Sequence, residues 1–227
     1  MNIVKNCQIC NGKLNTSFNL GMQPLCDDLI KINSRKKNKL YPTNILFCKS
    51  CITAYNEVQV IPKTLFPKSY HYRSNLTDDV VNGMIDLRNK IEEEFGELKK
   101  KVVLDVGCND GSLLNLFKNK KSITIGVEPT DACKNINNKH YIFNNFFNKR
   151  IAKKILRKFL HVDFIIFTNV FAHINNLDEL ISSLKILITR DTKIIIENHY
   201  LGSVLKKNQF DTFYHEHPRT YSFRSFQ

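Results

Sequence analysis

Residues 102–114 read VVLDVGCNDGSLL, a short apolar run that ends in an acid, passes two glycines and turns into a helix-like pattern. The spacing selects the ligand. A dinucleotide turn carries G-x-G-x-x-G, because a diphosphate must lie against bare backbone at a helix N-terminus. Here the pattern is D-x-G-x-x-x-G, with Asp105, Gly107 and Gly111. It lacks the middle glycine and puts a carboxylate where a diphosphate would be repelled. A ligand that joins an adenosine to a cationic amino-acid tail fits better: Asp105 faces the ammonium group, and Gly107 lets the backbone come close. S-adenosylmethionine is such a ligand. The next strand-like run, 122–127, ends in Glu128, where an acid would accept both ribose hydroxyls.

The chain around this turn alternates strand and helix patterns. Apolar residues recur at helical spacing over 77–98, with Asp78 and Asp79 suited to the positive end of the helix dipole. Strand and helix signals then follow at 102–106, 112–119, 123–127, 131–137, 141–143, 149–160, 163–168, 177–188 and 193–197. Short apolar strands separated by single helices imply an α/β, Rossmann-like fold with a mostly parallel sheet covered on both faces. Ligands of such sheets lie at the carboxyl ends of the strands.

Ahead of this region, Cys7, Cys10, Cys48 and Cys51 form C-x2-C-x37-C-x2-C. Each pair is a knuckle that presents two thiolates from one turn, and two knuckles close a tetrahedral site suited to structural Zn2+. The expected division is a zinc-binding module over 1–70 and an S-adenosylmethionine-binding domain over 71–227. The segment between the knuckles reads as too short for a core of its own, so metal binding would supply much of its folding free energy. Cys26, Cys108 and Cys133 have no such spacing and read as small buried residues.

The formal charge of +13 raises the question of nucleic acid. The lysines are spread along the whole chain, and their denser runs fall in loops or at helix ends, which reads as a solvated basic surface. An anionic small molecule such as a sugar nucleotide would suffice as partner. No apolar run approaches a membrane span and no signal-like segment precedes Cys7, so the expected location is the cytoplasm.

Phe210 to His217 reads FDTFYHEH and is followed by RTYS at 219–222. With the paired knuckles, LGMQPL (20–25), DVGCNDGSLL, NVFAHI (169–174) and IEN-x-Y (196–200), this resembles the sugar C-methyltransferases. These are S-adenosylmethionine enzymes of deoxysugar pathways with an N-terminal zinc module. The resemblance implies Tyr214 and His217 as candidate bases, Glu216 as a group that orients His217 or holds the sugar, and His215 as a nucleotide contact. It implies that Asn169 and His173, after the fourth strand, lie near the methyl donor, and that Phe146 or Phe147 lies by the adenine, with core packing as the other reading of both. Tyr70 and Tyr72 match an aromatic pair that approaches donor and substrate. Arg73-Ser74 stands where the family carries Ser-Ser, and His199 where it carries Pro.

Methylating a carbon requires a carbanion, and a 4-keto sugar provides one by losing the proton beside its carbonyl. On intrinsic pKa, His217 is favoured over Tyr214 as the base, being titratable near pH 7 where Tyr214 would need a large downward shift. The expected function is S-adenosylmethionine-dependent C-methylation of a nucleotide-linked 4-keto-deoxysugar. The rivals are an O- or N-methyltransferase of a small molecule, and a zinc-containing nucleic-acid-binding module on an inactive Rossmann-like domain. The family continues well beyond Gln227, so a truncated form is expected, lacking the last two strands and leaving an apolar sheet edge exposed. A further reading is a fragment whose remaining C-terminal part is separately encoded.

Overall fold

A computed structural model describes residues 1–136 and 138–227. In chain order the strands are β1 (Asn2–Ile3), β2 (Leu14–Pro24), β3 (Leu40–Cys48), β4 (Thr53–Asn56), β5 (Val58–Gln59), β6 (Val102–Val106), β7 (Ile123–Val127), β8 (Tyr141–Phe143), β9 (Phe164–Thr168), β10 (Lys193–Glu197) and β11 (Arg219–Thr220). The helices are α1 (Pro62–Leu65), α2 (Asp78–Phe95), α3 (Ser112–Asn119), α4 (Lys149–Phe159), α5 (Leu177–Leu187), α6 (Leu201–Lys206) and α7 (Phe223–Phe226). The chain divides into two compact units, one of residues 1–65, 169–177 and 197–227, the other of 66–168 and 178–196.

The second unit carries the expected sheet, in the order β10-β9-β6-β7-β8. β6 runs parallel to both β7 and β9, and β7 parallel to β8. β6 is buried along its whole length and β9 over Phe164–Phe167, as unbroken apolar strands covered on both faces must be. The strand order reverses at β6, so its carboxyl end is the switch point where such sheets bind ligands. α2 and α3 pack on this sheet through Met84, Ile91, Leu113 and Phe117, which share a core with Val103, Phe164 and Ile166. The helix expected over 131–137 is only a 3-10 turn at Asp131–Asn135, and Asn137 lies outside the described residues. At the sheet's edge β10 is less covered, with Ile194 39% exposed.

The first unit is antiparallel. Its larger sheet has the order β11-β4-β3-β2, and β1 pairs with β5 beside it. β4 is buried throughout, between β3 on one side and β11 on the other. The knuckle segments do not rely on the metal alone: Cys7, Cys48 and Cys51 share a core with Val4, Leu46 and Tyr55. Ile45 and Ala54 form a second core with Leu201, Val204 and Phe213. The segment, expected to have no core of its own, does pack Val4, Leu46 and Tyr55 with three of its cysteines, while the second core is completed by Leu201, Val204 and Phe213, more than a hundred positions away.

Candidate active site

The turn after β6 is shaped by three residues in the left-handed region, Gly107 (φ 79°), Asn109 (φ 49°) and Gly111 (φ 81°). Asparagine is among the few side chains that adopt this region readily. The backbone N–H of Asn109 donates to Glu128 Oε2 at 3.0 Å, and its side chain bonds Tyr72 O and Ser74 N. Asp110 accepts from Asn75 N, Ser112 N and Ser112 Oγ, and so fixes the start of α3. Sequence reading passed over Asn109 and Asp110; the signal was the N-D pair inside a glycine turn.

Glu128 is buried and braces the turn. Its Oε1 accepts from Thr130 N (2.9 Å) and Thr130 Oγ1 (2.7 Å). With Asn109, three of the roughly four acceptor directions of a carboxylate are filled, which leaves about one for a ligand hydroxyl rather than two. Asp105 is buried and accepts no hydrogen bond among the described residues. Burial, then the charges of Glu128 and Asp110, push its carboxyl up to about 7. A carboxyl with only acids for charged neighbours is a place for a cation, and the ammonium of S-adenosylmethionine fits it. Phe146 and Phe147 are half-buried beyond β8. Tyr72 is 41% exposed, and partial burial followed by the Asp110 charge raises its phenol.

The first unit gathers a cluster of imidazoles. The ring of His217 lies 4.4 Å from Tyr214, 4.8 Å from His173 and 5.3 Å from His199, centroid to centroid. His217 Nδ1 is 2.9 Å from Thr212 O, which places the proton on Nδ1. Nε2 is then the acceptor for the Tyr214 hydroxyl at 3.3 Å. His173 Nδ1 lies 2.7 Å from Glu216 O. The loop that carries these groups is a 3-10 turn at Phe210–Thr212 followed by further turns. Asn56 at the end of β4 holds it, donating to Tyr214 O at 2.8 Å and His217 O at 2.9 Å.

The expectation that His217 titrates near neutrality is corrected by this packing. Burial first, then the neighbouring His173 and His199, lower its pKa to about 3, with only the Thr212 carbonyl opposing them. Glu216 is buried; Cys26, exposed rather than buried as expected, has its thiol raised by partial desolvation first and then by the Glu216 carboxylate. His215 is buried beside Tyr41 with Nε2 at 3.3 Å from Pro42 O, while its Nδ1 has no partner among the described residues. Asn169 is exposed at φ 54°, and its N–H donates to Glu197 O at 2.9 Å.

The ligand sulfurs of Cys7, Cys10, Cys48 and Cys51 lie within 4.8 Å of one another. All four cysteines are free thiols, and the pairs Cys7–Cys51 and Cys10–Cys48 approach to 3.4 and 3.5 Å. A zinc–sulfur bond of about 2.3 Å puts tetrahedral sulfurs ~3.8 Å apart, so the set fits Zn2+. A Cβ on Gly12 would lie 3.2 Å from Cys10 Sγ and 3.7 Å from Cys48 Sγ, so the knuckle is closed around its ligands. Burial raises the Cys7 thiol, but the N–H groups of Cys10 and Ile9 and the Tyr55 hydroxyl outweigh it and bring the pKa to about 6.

Residues 77–227, more than half of the sequence, match the family described as "Methyltransferase domain". The chain belongs to that family. Residues 7–66 match a second one, described as "Putative zinc binding domain". The protein is 24% identical over 218 residues to the C-methyltransferase NovU of Streptomyces niveus, a match that takes in 94% of this chain and 52% of that protein. The chain thus spans about half the length of this curated relative. A solved S-adenosylmethionine-dependent methyltransferase from Archaeoglobus fulgidus superposes with a TM-score of 0.50 at 21% identity, over 63% of this chain and 65% of that one. The plantazolicin methyltransferase BpumL, solved with a pentazolic desmethylPZN analog and S-adenosylhomocysteine, gives 0.50 at 15% identity, over 66% and 62% of the two chains. The second unit therefore has the class I methyltransferase fold, whose donor is S-adenosylmethionine, and the four cysteines of the first unit fall within the span that matches the zinc-binding family. No helix among the described residues is long and apolar enough to cross a membrane.

Proposed function

We propose that this methyltransferase transfers a methyl group to carbon in a nucleotide-linked 4-keto-deoxysugar. The observation that carries the reading is the Tyr214–His217 pair: a buried neutral imidazole whose unprotonated nitrogen faces a phenol, with no carboxylate bonded to either ring nitrogen among the described residues. The 24% identity to a C-methyltransferase supports it. When bound, S-adenosylmethionine supplies an electrophilic sulfonium methyl group.

On this reading Asp105 takes the ammonium of the donor, Glu128 accepts one ribose hydroxyl, Gly107 and Gly111 let the backbone approach, and Phe147, Asn169 and His173 complete the donor contacts. His217 Nε2 removes the proton beside the sugar carbonyl. The electron pair of that C–H bond passes into the enolate, and the enolate carbon then takes the methyl group. A pKa of about 3 reports the cost of an isolated imidazolium. During proton transfer the imidazolium forms together with an enolate anion that offsets its charge. Tyr214 is the second candidate base, Glu216 holds the loop or the sugar, and Tyr72 and the free Nδ1 of His215 serve the substrate.

The matched spans, 7–66 and 77–227, support a sequence division into a zinc module over 1–70 and a methyltransferase domain over 71–227. Free thiolate ligands suit a reducing compartment such as the cytoplasm, and the positive charge suits the diphosphate of a sugar nucleotide. The test is methyl transfer from 13C-methyl-labelled donor to a 4-keto sugar nucleotide, read by NMR. A carbon-bound methyl is expected, with no transfer to the 4-hydroxy counterpart. An oxygen- or nitrogen-bound methyl would replace this reading with the O- or N-methyltransferase one.

A further inference from the structure

Arg219 is fully buried, at 0% exposure, and is the bulkiest of the fully buried side chains. No ion pair among the described residues includes it. Its Nε donates to Tyr221 Oη at 2.8 Å. Its terminal nitrogens donate to Gln8 Oε1, to Ile174 O and to Asn175 O, the last at 3.1 and 3.2 Å. These acceptors satisfy the guanidinium fork, yet all are neutral. A buried cation held by neutral acceptors alone is costly to desolvate, so negative charge close by has to offset it.

With zinc bound, the four-cysteine site would supply such charge. Four thiolates on one Zn2+ leave two negative charges. Arg219 in β11 is the cross-strand partner of Tyr55 in β4, and the Tyr55 hydroxyl lies 3.0 Å from Cys7 Sγ. Gln8, which Arg219 also grips, is the residue after Cys7. A second link joins the same segment to the other knuckle, Ser222 Oγ donating to Cys51 O at 3.3 Å. On its far side, the fork holds the carbonyls of Ile174 and Asn175, directly after His173, while β11 itself begins two residues after His217.

We propose that Arg219 is a positioning residue that couples the metal–tetrathiolate to the His173/His217 cluster. Its charge offsets the thiolates, and its rigid fork fixes the two segments that carry the imidazoles. The role assigned to those imidazoles is the one given above, but none of the readouts below uses the sugar, so the two readings fail separately.

The test is zinc release to an excess of chelator, with histidine ring resonances followed by NMR. Arg219→Met should release zinc at least tenfold faster than the unaltered protein. Arg219→Lys keeps the charge without the fork; it should restore most of the zinc retention while the His173 and His217 resonances stay displaced. In the unaltered protein, chelation of zinc should shift both ring resonances. Should Arg219→Met fail to fold, that last arm decides alone. Zinc release at the normal rate in Arg219→Met, or chelation that leaves both rings unmoved, would overturn the proposal.

Discussion

The two units bury ionisable groups in opposite ways. In the second unit, Asp105 sits among other acids, and its pKa rises to about 7. In the first, His217 sits among other imidazoles, and its pKa falls to about 3. Burial first, and like charges second, disfavour the charged form of each group, so each is poised for a ligand that brings the opposite charge. The consequences for stability have opposite signs. Between about pH 4 and 7 the folded protein binds more protons at Asp105 than the unfolded chain does, so that group makes folding less favourable as pH rises. Between about pH 3 and 6.5 the folded protein binds fewer protons at His217, so that group makes folding more favourable as pH rises.

The largest effect expected is loss of the first unit alone. Metal analysis should give one zinc per chain, and Cys48→Ser or chelation should remove hydrogen-exchange protection from β3 and β4 while β6 and β7 keep theirs. Structural zinc contributes about 10–16 kcal/mol in zinc-finger peptides; here the shared cores of Leu46, Tyr55 and Phe213 should retain part of the structure. Equal loss in both units, or no zinc in protein prepared under reducing conditions, would break the contrast.

Next in size, His217→Ala should slow methyl transfer by roughly 10²–10⁴-fold, the range for a general base, without altering donor affinity. An unaffected rate would move the base role to Tyr214. Glu128→Ala should do the reverse: weaken S-adenosylhomocysteine by about 1.5–3 kcal/mol in calorimetry, as expected for losing hydrogen bonds to a charged group. Equal affinities would remove Glu128 from the donor site. The smallest effect is expected for Asn109→Ala, which forces alanine into the left-handed region at a cost of about 1–2 kcal/mol in thermal or denaturant stability. An unchanged midpoint would show that the turn does not depend on that conformation.

The same two regions differ in how far the sequence revealed them. Strand, acid, glycine turn and helix follow one another within a dozen residues, so Asp105, Gly107, Gly111 and the parallel sheet could be read from local pattern alone. The four cysteines announced themselves by spacing. The imidazole cluster did not, because His173, His199 and His217 come from three separate segments and Asn56 reaches across from β4 to hold the loop. Nor could the local pattern show β11 pairing with β4, a contact between residues about 165 positions apart that turns a bare knuckle segment into a unit with a core. The pKa of His217 was misjudged for the same reason: intrinsic values hold in water, and burial is a property of the fold.

Calorimetric titration with S-adenosylhomocysteine from pH 5.5 to 8.5, on the unaltered protein and on Asp105→Asn, tests the central claim most directly. The ligand's ammonium requires an ionised Asp105, so affinity should climb by up to about tenfold per pH unit below pH 7 and level off above it. The Asp105→Asn protein should bind more weakly and with no such slope. Affinity that is flat with pH in the unaltered protein, or a slope that survives in Asp105→Asn, would contradict the account.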